Sequence, residues 1–179
     1  TNGKQGRLRA TNAPLPKAEN VNRLQDRLMA RASLAATYAG LLGVETTARD
    51  VFETIAANTV EGAQADQEAD AIAKGMQNVG LLTQVSRVGG VSKDLWPALA
   101  YMTSGQVLLV MGQSRGDLIL YDTTCTDNRA MVPITDFKPF FAGLVVRAEA
   151  SLKTVAKTHK TDSIKEHWFW GQFPRFRRQ

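Results

Sequence analysis

Between Asn22 and Leu42 the apolar residues Leu24, Leu28, Leu34, Ala35, Tyr38, Leu41 and Leu42 recur at helical spacing, and Gly43 follows where a glycine commonly ends a helix. The pattern predicts one long helix with a buried stripe. Thr47-Ala48-Arg49-Asp50 resembles a weakened capping box and opens a short amphipathic stretch, Val51–Ala57. A small, polar loop is expected over Val60–Gln67. A further amphipathic helix follows over Glu68–Val79, with Ala69, Ile72, Ala73, Met76 and Val79 on one face and Gly80 at its end.

After Gly80 the period changes from helical to alternating. Leu81–Val88 reads as a strand ended by Gly89-Gly90, and Val91–Leu95 as a short turn. From Trp96 to Asp122 the chain reads as a three-strand meander. Its first strand is Pro97-Ala-Leu-Ala-Tyr101, Ser104-Gly105 turns the chain, and two short apolar runs, Val107–Met111 and Leu118–Tyr121, are separated by Gly112, Ser114 and Gly116. Runs that are apolar on both faces require a sheet covered on both sides, so helices from elsewhere must pack on it. Past Asp122 come a polar loop, Thr123–Arg129, a strand over Ala130–Ile134, a helical turn at Thr135-Asp136 and a last strand, Gly143–Ala148. The expected class is α+β, with an antiparallel sheet packed on the long helix.

The flanks differ in composition. Residues 1–20 are polar, Pro14 and Pro16 are expected to break any helix there, and the segment reads as a disordered lead. After residue 150 a basic, polar stretch leads into H-W-F-W-G-Q-F and then Pro-Arg-Phe-Arg-Arg, aromatics beside arginine as at a membrane interface. The organisation expected is therefore a lead over 1–20, one domain over 21–150 and a basic, aromatic linker over 151–179.

A chain of 179 residues is large enough to hide roughly 70% of its unfolded surface without staples. Its single cysteine, Cys125, makes no internal disulfide, which suits a reducing compartment. No run approaches the ~20 apolar residues of a membrane span, and the N-terminal residues lack the apolar core of a signal peptide. The net charge of +5 is uneven: residues 1–49 carry +5, residues 50–146 carry −5 and residues 147–179 carry +5. An acidic centre argues against a nucleic-acid partner, whereas two basic ends suit arms or segments near an anionic membrane face.

Candidate chemistry is sparse. His159 and His167, the only histidines, lie in the tail. Cys125 sits in the polar loop after Asp122, where an inert loop thiol is the ordinary reading. No Cys/His cluster has metal-ligand spacing, and Gly112-Gln-Ser-Arg-Gly116 lacks the Lys-Ser/Thr of a phosphate loop, so neither metal nor nucleotide is expected in this segment. Asp122, followed by Thr-Thr, suits a turn residue accepting backbone hydrogen bonds.

The series P-A-L-A-Y, Ser104-Gly105-Gln106 and Tyr121-Asp122, with the order of elements and the H-W-F-W-G exit, resembles the C39 peptidase domain. C39 domains are papain-like cysteine proteases fused to the front of peptide-exporting ABC transporters. The resemblance covers about residues 24–173 and implies a papain-like fold. It places the catalytic histidine of the family at Gln106 and the aspartate that orients it at Asp122. The nucleophilic cysteine, which begins the long helix in the family, falls at Ala30 when its spacing is counted back from Gly43. Gln25 falls one residue out of register with the family's oxyanion-binding glutamine. Neither Ala30 nor its neighbours Met29 and Arg31 offers a thiolate, and the Gln106 amide does not titrate near neutral pH.

The resemblance therefore implies a degenerate cysteine peptidase, not an enzyme, working as the cytoplasmic N-terminal domain of an inner-membrane type I secretion ABC transporter of Gram-negative bacteria. Its implied partners are an unfolded RTX-type toxin or adhesin, the rest of the transporter and the membrane fusion protein. The membrane surface would lie near the C-terminal linker. RTX repeats are acidic and stay unfolded where calcium is scarce, and the basic ends of the chain would attract them. No cofactor is implied for this domain; ATP belongs to the nucleotide-binding domain of the parent transporter. Tyr101, Trp96 and Tyr38 are the candidate substrate-binding aromatics, against the alternative that they are ordinary core residues. An open sheet edge that takes up an extended peptide is a further route. Two other functions stay open: an active leader peptidase that cleaves after a double glycine, and a structural domain that docks on the transporter's own cytoplasmic parts.

Overall fold

The long apolar stripe forms α1, Pro16–Leu41, in a computed structural model that describes residues 16–151, with side chains from Asn22 onward. Pro16 opens this helix where a break was expected. At the first helical position its missing N–H is one that no intrahelical bond would use, and its fixed φ already suits the helix. The other part of the lead, residues 1–15, and the linker from residue 152 lie outside the described residues.

Gly43, at φ 83°, ends the turn after α1. The chain then enters α2, Ala48–Asn58, whose Thr47 side chain accepts the Asp50 N–H at 3.2 Å, as the T-x-x-D pattern predicts. α3 runs from Ala65 to Asn78 and starts earlier than its apolar face suggests. Its first turn is closed by Gln67, which accepts the Gln64 N–H at 3.1 Å in a capping box built on glutamines.

Six strands follow: β1, Leu81–Arg87; β2, Ala98–Met102; β3, Val107–Ser114; β4, Asp117–Tyr121; β5, Arg129–Pro133; and β6, Phe141–Ala150. A helical turn, α4, Ile134–Phe137, and a 3₁₀ turn, Lys138–Phe140, link the last two. The sheet order is β1-β6-β2-β3-β4-β5, and every neighbouring pair is antiparallel. β3 extends beyond Met111 because Gly112, expected in the turn, stays in the ladder at a register shift between Val110 and Gly112. The turn itself is Arg115-Gly116, at φ 51° and 82°.

Alternation along the strands divides the core in two. Leu99, Tyr101, Val107, Leu109, Leu144, Val146 and Ala148 face the helical layer and pack with Leu28, Ala32, Ala35, Tyr38, Ile55 and Ile72. Ala98, Ala100, Val110, Leu118, Leu120 and Val145 face the other way, under Leu95, Trp96 and Phe137. Both faces are thus covered, as the doubly apolar strands require. Full burial of each large aliphatic side chain contributes about 1.5–3 kcal/mol. One polar group ties the layers: Tyr38 Oη donates to Pro97 O at 2.7 Å and accepts the Ala148 N–H at 3.0 Å, which fixes α1 to β6 and to the residue just before β2. This is an α+β fold with helices on an antiparallel six-stranded sheet.

Candidate functional site

The turn between β2 and β3 carries the site to which the sequence pattern points. Gly105, at φ 86°, takes the left-handed conformation of this turn; its N–H donates to Met102 O at 2.9 Å, and Met102 N–H donates to Gln106 O at 2.8 Å. Above this turn lies α1. Arg31 reaches down from it and donates from Nη2 to the Gly105 carbonyl at 2.6 Å and from Nε to Glu68 Oε1 at 2.8 Å.

Glu68 comes from the first turn of α3 and gathers three donors. Besides Arg31, Tyr101 Oη donates to Oε1 at 3.1 Å, and Arg27 Nη2 lies 3.2 Å from Oε2. Arg31 and Glu68 are buried, at 8% and 4% exposure, in an otherwise apolar core, so each needs the other to offset its desolvation. Burial, followed by the negative charge of Glu68, pushes the Tyr101 phenol far above its ordinary value. It therefore stays a neutral donor to the carboxylate. Among the described residues no buried side-chain nitrogen or oxygen is left without a partner.

The positions matched to a catalytic triad are arranged differently from the expectation. Ala30 is exposed on the outer side of α1, and its neighbour Arg31 is the residue that faces the turn. On α1 it is Arg31, and not Ala30, that falls in line with the buried Leu28 and Ala35. Residue 30 also sits well inside α1, where the backbone N–H is taken up by the helical ladder; a helix supplies free N–H groups only in its first turn. Gln106 is exposed, and its N–H donates to Ser104 Oγ at 3.3 Å.

Asp122 folds onto its own loop. Its Oδ1 accepts the Thr124 N–H at 2.9 Å and the Thr124 hydroxyl at 2.6 Å. These bonds, the hydroxyl's first, and one from the Cys125 thiol hold the carboxyl below its ordinary range. This is the turn role that an Asp before Thr-Thr suits. Cys125 is half-buried in the same loop, and its N–H donates to Asp122 O at 3.3 Å. His159 and His167 lie outside the described residues. Among the described residues no group of three His, Cys, Asp or Glu side chains is placed to hold a metal ion, and no helix is long and apolar enough to cross a membrane.

The three aromatics proposed as binding residues are core residues instead. Tyr38 is 0% exposed, Tyr101 2% and Trp96 8%. Trp96 packs edge-on against Phe137 with ring centroids 6.2 Å apart, and Tyr38 and Tyr101 spend their hydroxyls on partners inside the fold. Tyr101 does lie beside the β2–β3 turn, but beneath it. Sequence reasoning missed Arg31 and Glu68, although a signal existed: each is a charge placed within the apolar stripe of an amphipathic helix, Arg31 between Leu28 and Ala35 and Glu68 beside Ala69 and Ile72. A charge in that position is buried only with a partner.

No protein-family model and no curated protein sequence matches the chain. Solved structures do. The peptidase domain of Streptococcus ComA, a bi-functional ABC transporter involved in a quorum-sensing pathway, is 16% identical, with a TM-score of 0.54 over 68% of this chain and 90% of that one. A double-glycine-motif protease from an AMS/PCAT transporter, in complex with its leader peptide, is 14% identical, with a TM-score of 0.51 over 69% and 86%. The N-terminal peptidase C39-like domain of the toxin secretion ATP-binding protein from Vibrio parahaemolyticus is 12% identical, with a TM-score of 0.50 over 69% and 96%. The fold is that of the C39 peptidase domains of ABC transporters.

Proposed function

We propose that this chain is a non-catalytic, substrate-recruiting domain of a type I secretion ABC transporter, which holds an unfolded secreted polypeptide at the cytoplasmic face of the inner membrane. The observation that carries this reading is the contact of Arg31 with Gly105, beside the turn at which the resemblance of the sequence sets the family's base. An alanine inside a continuous helix, an arginine beneath it and a glutamine on the turn supply no attacking sulfur, no titrating base and no free N–H pair for an oxyanion. The framework around them is kept. One neighbour in fold was solved with a leader peptide in place, which supports a polypeptide as the ligand class. The RTX-type substrate, the membrane fusion protein and the Gram-negative inner membrane belong to this proposal through the resemblance of the sequence.

The test is incubation of the purified chain with a double-glycine leader peptide and, separately, titration of the ¹⁵N-labelled chain with an unfolded acidic RTX segment in calcium-free buffer. The expected results are an intact leader and selective amide shifts. Cleavage of the leader, abolished by Cys125→Ala, would overturn the reading in favour of an active peptidase, the alternative favoured by two neighbours that are peptidases. An absence of shifts would leave a structural docking role.

A further inference from the structure

The geometry points to an acidic-peptide docking surface along the N-terminal half of α1, built on Arg23, Arg27 and Arg31. The inference rests on the reading that the domain binds a polypeptide without cutting it, and it names where and by what chemistry. The three arginines follow one another at i, i+4 and i+8, which places them in a single row along one side of the helix. Like charges at this spacing repel, so the row weakens α1 unless acidic groups compensate it.

Compensation within the described fold is partial. Glu68 is the carboxylate that meets the row; it contacts Arg31 at 2.8 Å and Arg27 at 3.2 Å, and one carboxylate balances one of two guanidiniums. The Arg31 side chain is buried at 10% exposure, that of Arg27 remains 44% exposed, and Arg23 is exposed. Asp66 pairs with Arg87 at 2.6 Å; on α1 itself Glu19 stands four residues before Arg23 and Asp26 three after it, so the inner end of Arg27 and Arg31 is where positive charge exceeds the acids at hand. The surface thus pairs an inner guanidinium fixed by the fold with exposed ones at its outer edge.

Guanidinium, a planar fork of donors, suits carboxylates better than an ammonium does. The row is also continuous with the degenerate site, because Arg31 itself bonds the carbonyl next to Gln106. An extended chain carrying Asp or Glu residues would lie along α1 with its carboxylates on Arg23 and the outer side of Arg27, leading toward the β2–β3 turn. Glu68 keeps the two inner guanidiniums oriented, so its role here is positioning.

The test uses the full chain and fluorescein-labelled peptides of repeating Asp-Gly-Ser, with Asn-Gly-Ser as the uncharged counterpart, read by fluorescence anisotropy at low and physiological salt. The Asp peptide is expected to bind more tightly than the Asn peptide and to weaken with salt. Arg23→Gln, at an exposed position with no role in the core, is expected to weaken binding roughly two- to fivefold, and Arg27→Gln by a similar factor. Arg27→Lys separates bidentate recognition from plain charge, and thermal melts of each variant separate binding from folding. Equal binding of both peptides, with Arg23→Gln unchanged, would overturn the arginine surface while leaving polypeptide binding intact. Binding of neither peptide, together with no shifts from the unfolded RTX segment, would overturn both.

Discussion

Tyr101 and Glu68 share a hydrogen bond of 3.1 Å beneath the β2–β3 turn, a neutral phenol donating to a carboxylate that two arginines also hold. Tyr101→Phe removes one donor and leaves the guanidiniums in place, so a loss of about 1–2 kcal/mol is expected in urea unfolding. Glu68→Ala strands Arg31 in the core without its counter-charge and is expected to cost about 3–5 kcal/mol. If Glu68→Ala were no worse than Tyr101→Phe, the ion pair would not hold the turn.

Tyr38 joins α1 to β6 and to the residue just before β2 through one oxygen. Tyr38→Phe keeps the ring but leaves the Ala148 N–H and the Pro97 carbonyl without that hydroxyl, an expected loss of about 1–3 kcal/mol. Hydrogen exchange at the Ala148 amide is the local readout and is expected to accelerate more than amides in β4.

Alkaline pH offers a third check. Tyr38 and Tyr101 are both held above the ordinary phenol value, chiefly by burial. A raised phenol favours the folded state fully below the unfolded value near 10, and that contribution falls as pH rises past it, because only the unfolded chain then releases the proton. Stability measured by urea unfolding should decline above about pH 10. In Tyr101→Phe the decline should be shallower. An equal decline in that variant would show that the phenol is not linked to folding.

Two glycines within helices are expected to respond to alanine with opposite signs. At Gly75 an added Cβ would meet Val51 O and Val51 Cγ1 at 3.1 Å, where α3 presses on α2, so Gly75→Ala is expected to lower the melting temperature. At Gly40, in α1, an added Cβ meets nothing within 4 Å, and Gly40→Ala is expected to stabilise by about 0.5–1 kcal/mol through helix propensity. Calorimetry on both variants checks the pair.

The acid side tests the loop that holds Asp122. Its carboxyl is lowered by the Thr124 hydroxyl first, so the bonds are present above the unfolded carboxylate value and are lost as pH falls through the lower folded one. Thr124→Val removes the hydroxyl, and the NMR-detected titration of Asp122 is expected to move up toward the ordinary value. A titration unchanged in that variant would assign the shift to another cause.

Periodicity carried most of the fold. Helical spacing from Leu24 to Leu42 found α1, and alternation after Gly80 found β1, because burial of one face leaves its period in the sequence. Local backbone chemistry was harder to read. Pro16 reads as a breaker unless its position within the helix is known, and Gly112 reads as a turn unless the partner strand shows the ladder continuing through it. The site was legible by identity and not by geometry. Gln106 in the turn after β2 and Asp122 just past β4 stand on the elements that the pattern assigned them, but the contact of Arg31 with Gly105, and the burial of Tyr38, Tyr101 and Trp96, depend on contacts between residues far apart in sequence.

The pairing of β1 with β6 also imposes an order of events. Leu81 sits beside Ala150 and Arg87 beside Leu144, so the strand that follows the three helices finds its partner only when the last strand is made. During synthesis the helical portion would emerge from the ribosome long before its sheet can close, exposing the stripe of α1 to any apolar binder in the meantime. Such distant pairing slows folding, and a shortened chain ending before β6 would lack the ladder that joins its two halves.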